Sequence, residues 1–488
     1  MMQPAQRRAA TVALRRALAS SPWAVVAGLF GLSLGSGAWI VSGAIIGLLL
    51  ALVLLLSGTW WIAMAWIVLA PTVGVFFNDL LQGIPFFRAD RILVLVLLAG
   101  MASRVVLYKH RFVAASAVER RMGLFLALAI VHVLWRLRGE SLADWSKQDA
   151  ALLFDGYLMP MAGYFIARRL AWTEDRATRF LWMLGAAALF LAVSAPLETL
   201  LGITWFIPTY IDVIHILLRA TGTFGNAAAY GAVMGSMLLM VTLLYTRARE
   251  PVQRVGLFAL LLLVLAAIAL SKTRASWVGA AVGFAFVFVR DPGSRPLLTI
   301  SGAGVALAAV VAIPLLLAMH GFEERVLDTA PVYNRIAGWG AATNMMVQNP
   351  LTGVGWSRYA FGANRGEYAI DVGDVTGAWI RELTVPHNEF FNVGAMTGVI
   401  GFVLYLRIFS GMFATLRASW ADAANGAFTR AMAVYVGAMW LAWCVNACFA
   451  DFGNFGYANI IIYFCAGTVA ALADRRPAPG AALAEAAR

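Results

Sequence analysis

Apolar stretches of ~20 residues recur along almost the whole chain, and they leave it few folds to choose from. A bilayer's hydrocarbon core is ~30 Å thick and a helix rises ~1.5 Å per residue, so each stretch has the length of one crossing. Backbone groups in lipid must be hydrogen-bonded internally, which permits helices or a closed barrel. Barrel strands alternate with period two, and runs such as 48–56 and 260–270 do not alternate. With 61% hydrophobic and 13% charged residues and a mean hydropathy of +0.79, the chain is too apolar for a soluble domain. The sequence predicts an all-α integral membrane protein. Its architecture is a polytopic helical bundle of about 12–14 transmembrane helices with a large periplasmic loop containing short helices.

Candidate spans are 22–38, 39–56, 59–77, 92–108, 122–137, 150–168, 178–197, 224–246, 255–271, 274–290, 297–318, 389–415, 428–449 and 456–474. The region 22–56 reads as two spans around a turn at Gly35 and Gly37, or as one crossing. The expected organisation is a basic cytoplasmic N-terminus (1–21), a membrane bundle (22–318), a periplasmic loop or lid (319–388), C-terminal membrane helices (389–474) and a cytoplasmic tail (475–488). Lys and Arg set the orientation. Placing Arg7, Arg8, Arg15 and Arg16 inside also puts inside the loops bearing Lys109 to Arg121, Arg168 to Arg179, Arg247 to Arg254, Arg290 and Arg295, Arg417 and Arg430, and Arg475 and Arg476. The net charge of +12 is then this inside bias, and no nucleic-acid partner is expected. The Arg-rich start is followed by too long an apolar region for a cleaved signal. Cys444, Cys448 and Cys465 fall inside spans without a metal-ligand spacing and read as packing residues.

Function is expected in what remains outside: about 198–226, the turn 271–276, and about 320–388. The last is long for a connector and predicts a folded cap. Within it, Ile336, Trp339, Ala342 and Met346 recur at helical spacing over 333–348, the pattern of an amphipathic helix lying on the bundle or at the interface. Asn349-Pro350 stops that helix, and Gly353-Val354-Gly355 follows as a turn. Arg219 precedes one span and Arg274 opens another from the same side. A guanidinium pairs bidentately with phosphate oxygens and keeps its proton, whereas the plainer reading of each is an interfacial arginine anchoring a helix end. His387 stands in Pro386-His387-Asn388-Glu389 at the entry to a long span. An imidazole there can accept a proton near neutral pH, or simply cap the helix. Two fixed cations beside a titratable imidazole suit chemistry on a lipid-linked phosphate. The chain has no HExxH, no clustered His/Asp set, no Gly-x-Ser-x-Gly elbow and no Walker pattern, so no metal or cofactor is expected.

Four segments in order resemble motifs of the O-antigen ligase and polymerase superfamily of bacterial lipid-linked glycan transferases. These are Arg219-x-x-Gly222-x-Phe224-x-Asn226; Ser271-x-x-Arg274-x-Ser276; Arg335 to Trp339 with Asn349-Pro350-Leu351-x-Gly353-Val354-Gly355; and Pro386-His387-Asn388-Glu389-Phe390 with Gly394, Gly398 and Gly401. Phe87-Arg88-x-Asp90 is similar to an earlier family position. Phe390 and Phe391 depart from the family, which often has small or aliphatic residues there. The resemblance implies a metal-independent inverting glycosyltransferase of the bacterial inner membrane with its site facing the periplasm. Its donor would be a glycan on undecaprenyl pyrophosphate, its acceptor a glycan or the lipid A core, and its surroundings membrane lipids. It assigns the pyrophosphate to Arg219 and Arg274, the general base to His387, and secondary donor or lid contacts to Arg335 and Arg88. The favoured activity is ligation of O-antigen to the lipid A core, with O-antigen or exopolysaccharide polymerisation as the alternative. A polytopic transporter is the reading from another class. It expects ionisable residues at mid-bilayer, whereas here the charges gather at span ends, with Arg104 and Asp155 as the clearest intrusions.

Overall fold

The computed structural model describes residues 58–72, 88–108, 113–136, 152–204, 219–300, 302–303, 330–357, 360–370 and 385–475. The expected spans 22–38 and 39–56, most of 297–318, and the tail beyond Arg475 lie outside them. Among the described residues every regular element is helical.

The helices are α1 (Thr59–Thr72), α2 (Ala89–Tyr108), α3 (Ala117–Arg136), α4 (Met159–Arg169, entered through a π-helical turn, Leu152–Leu158), α5 (Glu174–Leu201), α6 (Ala227–Arg247), α7 (Pro251–Leu270) and α8 (Arg274–Arg290). They continue with α9 (Ala330–Gln348), α10 (Ala360–Asn364), α11 (Glu389–Ala421), α12 (Ala427–Ala447) and α13 (Gly456–Asp474). Six of them, α5, α6, α7, α11, α12 and α13, are long and apolar enough to cross a bilayer. This is an all-α polytopic membrane protein.

Residues 58–66 and 92–108 belong to one compact unit, in which Trp60, Met64, Trp66, Val94 and Leu97 are buried. Residues 67–72, 88–91 and everything described from Val113 onward belong to the other. In that larger unit α6 is the central helix, with 94% of its apolar window buried, whereas only 33% of the α7 window is covered. α7 therefore turns most of its surface outward, as a helix bordering lipid does.

Two motif asparagines explain where helices begin. Asn226 Oδ1 accepts from the Ala228 and Ala229 N–H groups (2.9 and 3.2 Å) and caps α6. Asn388 Oδ1 accepts from Phe390 and Phe391 (3.0 and 3.1 Å) and caps α11. Each satisfies amide donors that a helix start leaves unpaired.

α11 has 33 residues, more than one crossing needs, and it is broken at Gly398, whose φ of 69° and ψ of −170° are not helical. The turn after α9 docks at this break. Val399 N–H donates to Pro350 O and Val354 N–H to Ala395 O, both 2.8 Å. α9 packs along the first part of α11, with Trp339 against Phe391 and Met346 against Gly394, two residues of the expected face. Ala337, Ala341, Ala342 and Met345 are buried, while Ile336 is exposed. The small side chains among them let the two backbones approach closely.

Candidate active site

α7 ends at Leu270 and α8 begins at Arg274, so a three-residue turn joins them. Arg219 straps this turn. Its Nε–H donates to Ser271 O (3.1 Å) and its Nη2 to Thr273 Oγ1 (2.8 Å). The Thr273 hydroxyl lies 3.1 Å from Ala227 O, and Ala220 N–H donates to Leu270 O at 2.9 Å. The two arginine motifs thereby form one piece of structure.

A carboxylate absent from the sequence reading fixes that piece from below. Glu198, fully buried on α5, accepts from Thr221 N–H (2.9 and 3.0 Å), the Thr221 hydroxyl (2.7 Å) and Gly222 N–H (2.9 Å). The Thr223 hydroxyl donates to Pro71 O. Phe224 lies 5.9 Å from the ring of Tyr457, whose hydroxyl donates to Ile67 O at 2.6 Å.

Arg274 is exposed at the start of α8, and its charge acts on Arg335 of α9. Arg335 is half-buried, with its guanidinium 5.4 Å from the centre of the Phe449 ring. Burial, and then the neighbouring Arg274 charge, push the Arg335 guanidinium below its usual range. Among the described residues no carboxylate pairs with Arg335. A half-buried guanidinium on which a second cation acts favours an anion nearby. Trp339, one turn further along α9, packs on Phe391 and Phe449 with ring centres 5.9 and 6.3 Å apart.

Phe449 belongs to the turn between α12 and α13, and that turn also carries the partner of His387. His387 is exposed and holds a φ of 52°. Its Nδ1 lies 3.5 Å from Oδ2 of buried Asp451, whose Oδ1 accepts Asn388 N–H at 3.3 Å. Asn388 Nδ2 donates to Cys448 O at 3.1 Å. Beneath them the buried Glu389 carboxylate accepts Gly453 N–H (2.7 Å) and the hydroxyls of Tyr157 (3.0 Å) and Tyr405 (2.9 Å). Arg219 thus holds the turn that leads into Arg274, Arg335 and His387 are joined through the turn that carries Phe449 and Asp451, and the Arg274 charge acts on Arg335 between the two groups.

Arg88 is not among these residues. It is ion-paired with Asp155 (3.2 Å) and Asp90 (3.4 Å), and Arg91 donates to both oxygens of Asp155 (2.8 and 2.7 Å). Asp155 is thus satisfied by two arginines rather than isolated in the bundle. The cysteines are free, with Cys465 buried and the other two partly so.

Sequence reasoning missed Asp451 and Glu198 and gave Glu389 no role. Asp451 carried one signal: it is the sole carboxylate between the start of α12 and Asp474 at the end of α13. Glu198 carried none, because a single carboxylate at a helix end resembles any solvated one.

Residues 258–406 match the profile of a family described as O-Antigen ligase. This stretch contains Arg274, Arg335 and His387, while Arg219 and Asp451 lie on either side of it. No curated protein matches the chain. The match supports what the four motifs implied: residues 258–406 are similar to the O-antigen ligase family, of the O-antigen ligase and polymerase superfamily.

Proposed function

We propose that this protein is a metal-independent inverting glycosyltransferase of the bacterial inner membrane, working as an O-antigen ligase at the periplasmic face. It moves a glycan from undecaprenyl pyrophosphate to a hydroxyl of the lipid A core. The observation that carries this reading is the convergence of Arg335 and His387 on one turn, Arg335 over Phe449 and His387 beside Asp451, within or beside the matched domain that also holds Arg274.

The chemistry needs little more. His387 takes the proton of the acceptor hydroxyl, and the hydroxyl oxygen attacks the anomeric carbon from the face opposite the leaving group. The bond from that carbon to the pyrophosphate oxygen breaks, and its electron pair leaves with the pyrophosphate. Arg219 and Arg274 hold the pyrophosphate and stabilise this growing charge, a preorganised electrostatic contribution worth several kcal/mol in enzymes. Arg335 adds a third cation from the cap. Pyrophosphate is a good leaving group, so no strong general acid is required. The cap and membrane exclude water, and hydrolysis of the donor is limited accordingly.

The test is transfer by the purified protein in detergent, with lipid-linked glycan, lipid A core acceptor and EDTA. Glycan-capped core is the expected product, and Arg274→Lys should transfer more slowly because an ammonium cannot reproduce the planar fork. Longer glycan on undecaprenyl pyrophosphate, with the core left bare, would make the protein a polymerase instead. Turnover that stops in EDTA would overturn the metal-independent mechanism.

A further inference from the structure

Among the described residues, two that are not glycine hold a positive φ: His387 at 52° and Lys272 at 47°. Left-handed backbone disfavours any residue with a Cβ, and such strain gathers at active sites and ligand clamps. His387 is the base in the reading above. Lys272 has no role in it.

Lys272 follows α7. Its N–H donates to Ala269 O (3.0 Å), and its φ lies in the left-handed region where a helix end most often places glycine. Glycine would close α7 without strain, yet this chain places a half-buried cation there. The turn is also held on both sides. Arg219 donates to Ser271 O before Lys272 and to Thr273 Oγ1 after it. Arg219 therefore commits its Nε and one terminal nitrogen to shaping the turn. Arg274 stands two residues further on, with Arg335 acting beside it.

We infer that Lys272 is a direct ligand of the donor's pyrophosphate, a point charge carried two residues before Arg274 on a strained turn that Arg219 holds in shape. The inference rests on the glycosyltransferase reading above and adds a binding residue to its site. It also gives Arg219 a second, positioning task.

Glycine and arginine substitutions separate backbone from charge. Lys272→Gly relieves the strain and removes the cation, whereas Lys272→Arg keeps the cation. The probe is undecaprenyl pyrophosphate, with affinity measured in detergent at fixed ionic strength alongside thermal unfolding. Lys272→Gly should bind the probe about tenfold or more weakly, the scale of losing one charge-assisted hydrogen bond, while unfolding no earlier than the wild type. Lys272→Arg should stay within about threefold. Wild-type affinity in Lys272→Gly, or equal loss in both variants, would overturn the assignment. Arg274→Ala separates the two levels of the argument. If it binds the probe like the wild type, the phosphate site itself is misplaced and the glycosyltransferase reading falls with it. If Arg274→Ala weakens binding and Lys272→Gly does not, the lysine assignment alone falls.

Discussion

An imidazole can take a proton from a hydroxyl only when one ring nitrogen is held in place and the other is free to accept. Asp451 faces Nδ1 of His387 at 3.5 Å, and under the proposed function Nε2 is the nitrogen that receives the proton. The aspartate is itself fixed by Asn388 N–H, in a turn held by the Glu389 carboxylate through Gly453 N–H. His387→Ala should therefore lower kcat by about 10²–10⁴, the range of a general base. Asp451→Asn should lower it at least about tenfold with the donor KM almost unchanged, because it acts through the imidazole. Adding Asp451→Asn to His387→Ala should cost nothing further, since the two work as one unit. Initial rates at saturating donor decide this, and an Asp451→Asn enzyme with wild-type kcat would separate the pair. Glu198 works differently, through backbone alone. Glu198→Ala would leave the Thr221 and Gly222 amides buried without an acceptor, at a cost of about 2–4 kcal/mol. Thermal unfolding should show a clear drop, and an unchanged midpoint would mean that water or a neighbour replaces the carboxylate.

Whole helices repeat the same economy of means, with one break doing the work of a separate linker. Gly398 interrupts α11 so that the carbonyl of Pro350 and the amide of Val399 can pair, and its Cβ would run into Pro350 O. At φ 69° and ψ −170° the backbone lies where essentially only glycine goes. Gly398→Val should therefore destabilise the joint by about 2 kcal/mol or more, free the turn after α9, and raise cleavage within 349–370 under limited proteolysis. Unaltered digestion would show that α9 is held elsewhere. This joint also marks how far sequence could be read. The expected spans 274–290 and 456–474 coincide with α8 and α13, because an apolar run bounded by charge or glycine records its own ends. The amphipathic helix was legible in extent and in most of its face, because Ala342 is buried, Trp339 packs on Phe391 and Met346 meets Gly394, while Ile336 is exposed. Arg219, Arg274 and His387 stood out because cations are scarce at span ends on that side. Asp451 lies 64 residues beyond His387, and only folding brings the two together. A lone carboxylate in a predicted turn has no periodicity to betray its partner.

At the scale of the larger unit, the charged side chains of the described residues gather at the helix ends. The end that carries the candidate site holds half-buried Arg335, on which the Arg274 charge acts, and also the ion pairs of Arg88 and Arg91 with Asp155. The other end closes on itself. Glu119 and Ser116 form a reciprocal cap at the start of α3: Ser116 N–H donates to the carboxylate (2.7 Å) and Glu119 N–H to the hydroxyl (3.2 Å). The same carboxylate pairs with Arg168 at 2.6 Å and with Arg169, and Arg168 pairs in turn with Asp474 at 2.8 Å. Three helices, α3, α4 and α13, are thereby clasped through one buried acid. Burial alone would raise the Glu119 pKa, but the Arg169 and Ser116 hydrogen bonds and the two arginine charges outweigh it and hold the carboxyl below its usual 4.5. A carboxyl with a depressed folded pKa contributes stability that is fully present above its unfolded value and is lost as pH falls through the folded one. Glu119→Gln should accordingly unfold well below the wild type at pH 7, and the gap between the two should narrow steadily as the pH is taken from 5 toward 3. Thermal unfolding of both proteins in the same detergent across that series measures it. A gap that stays constant with pH would mean that the clasp depends on the shape of the side chain and not on its charge.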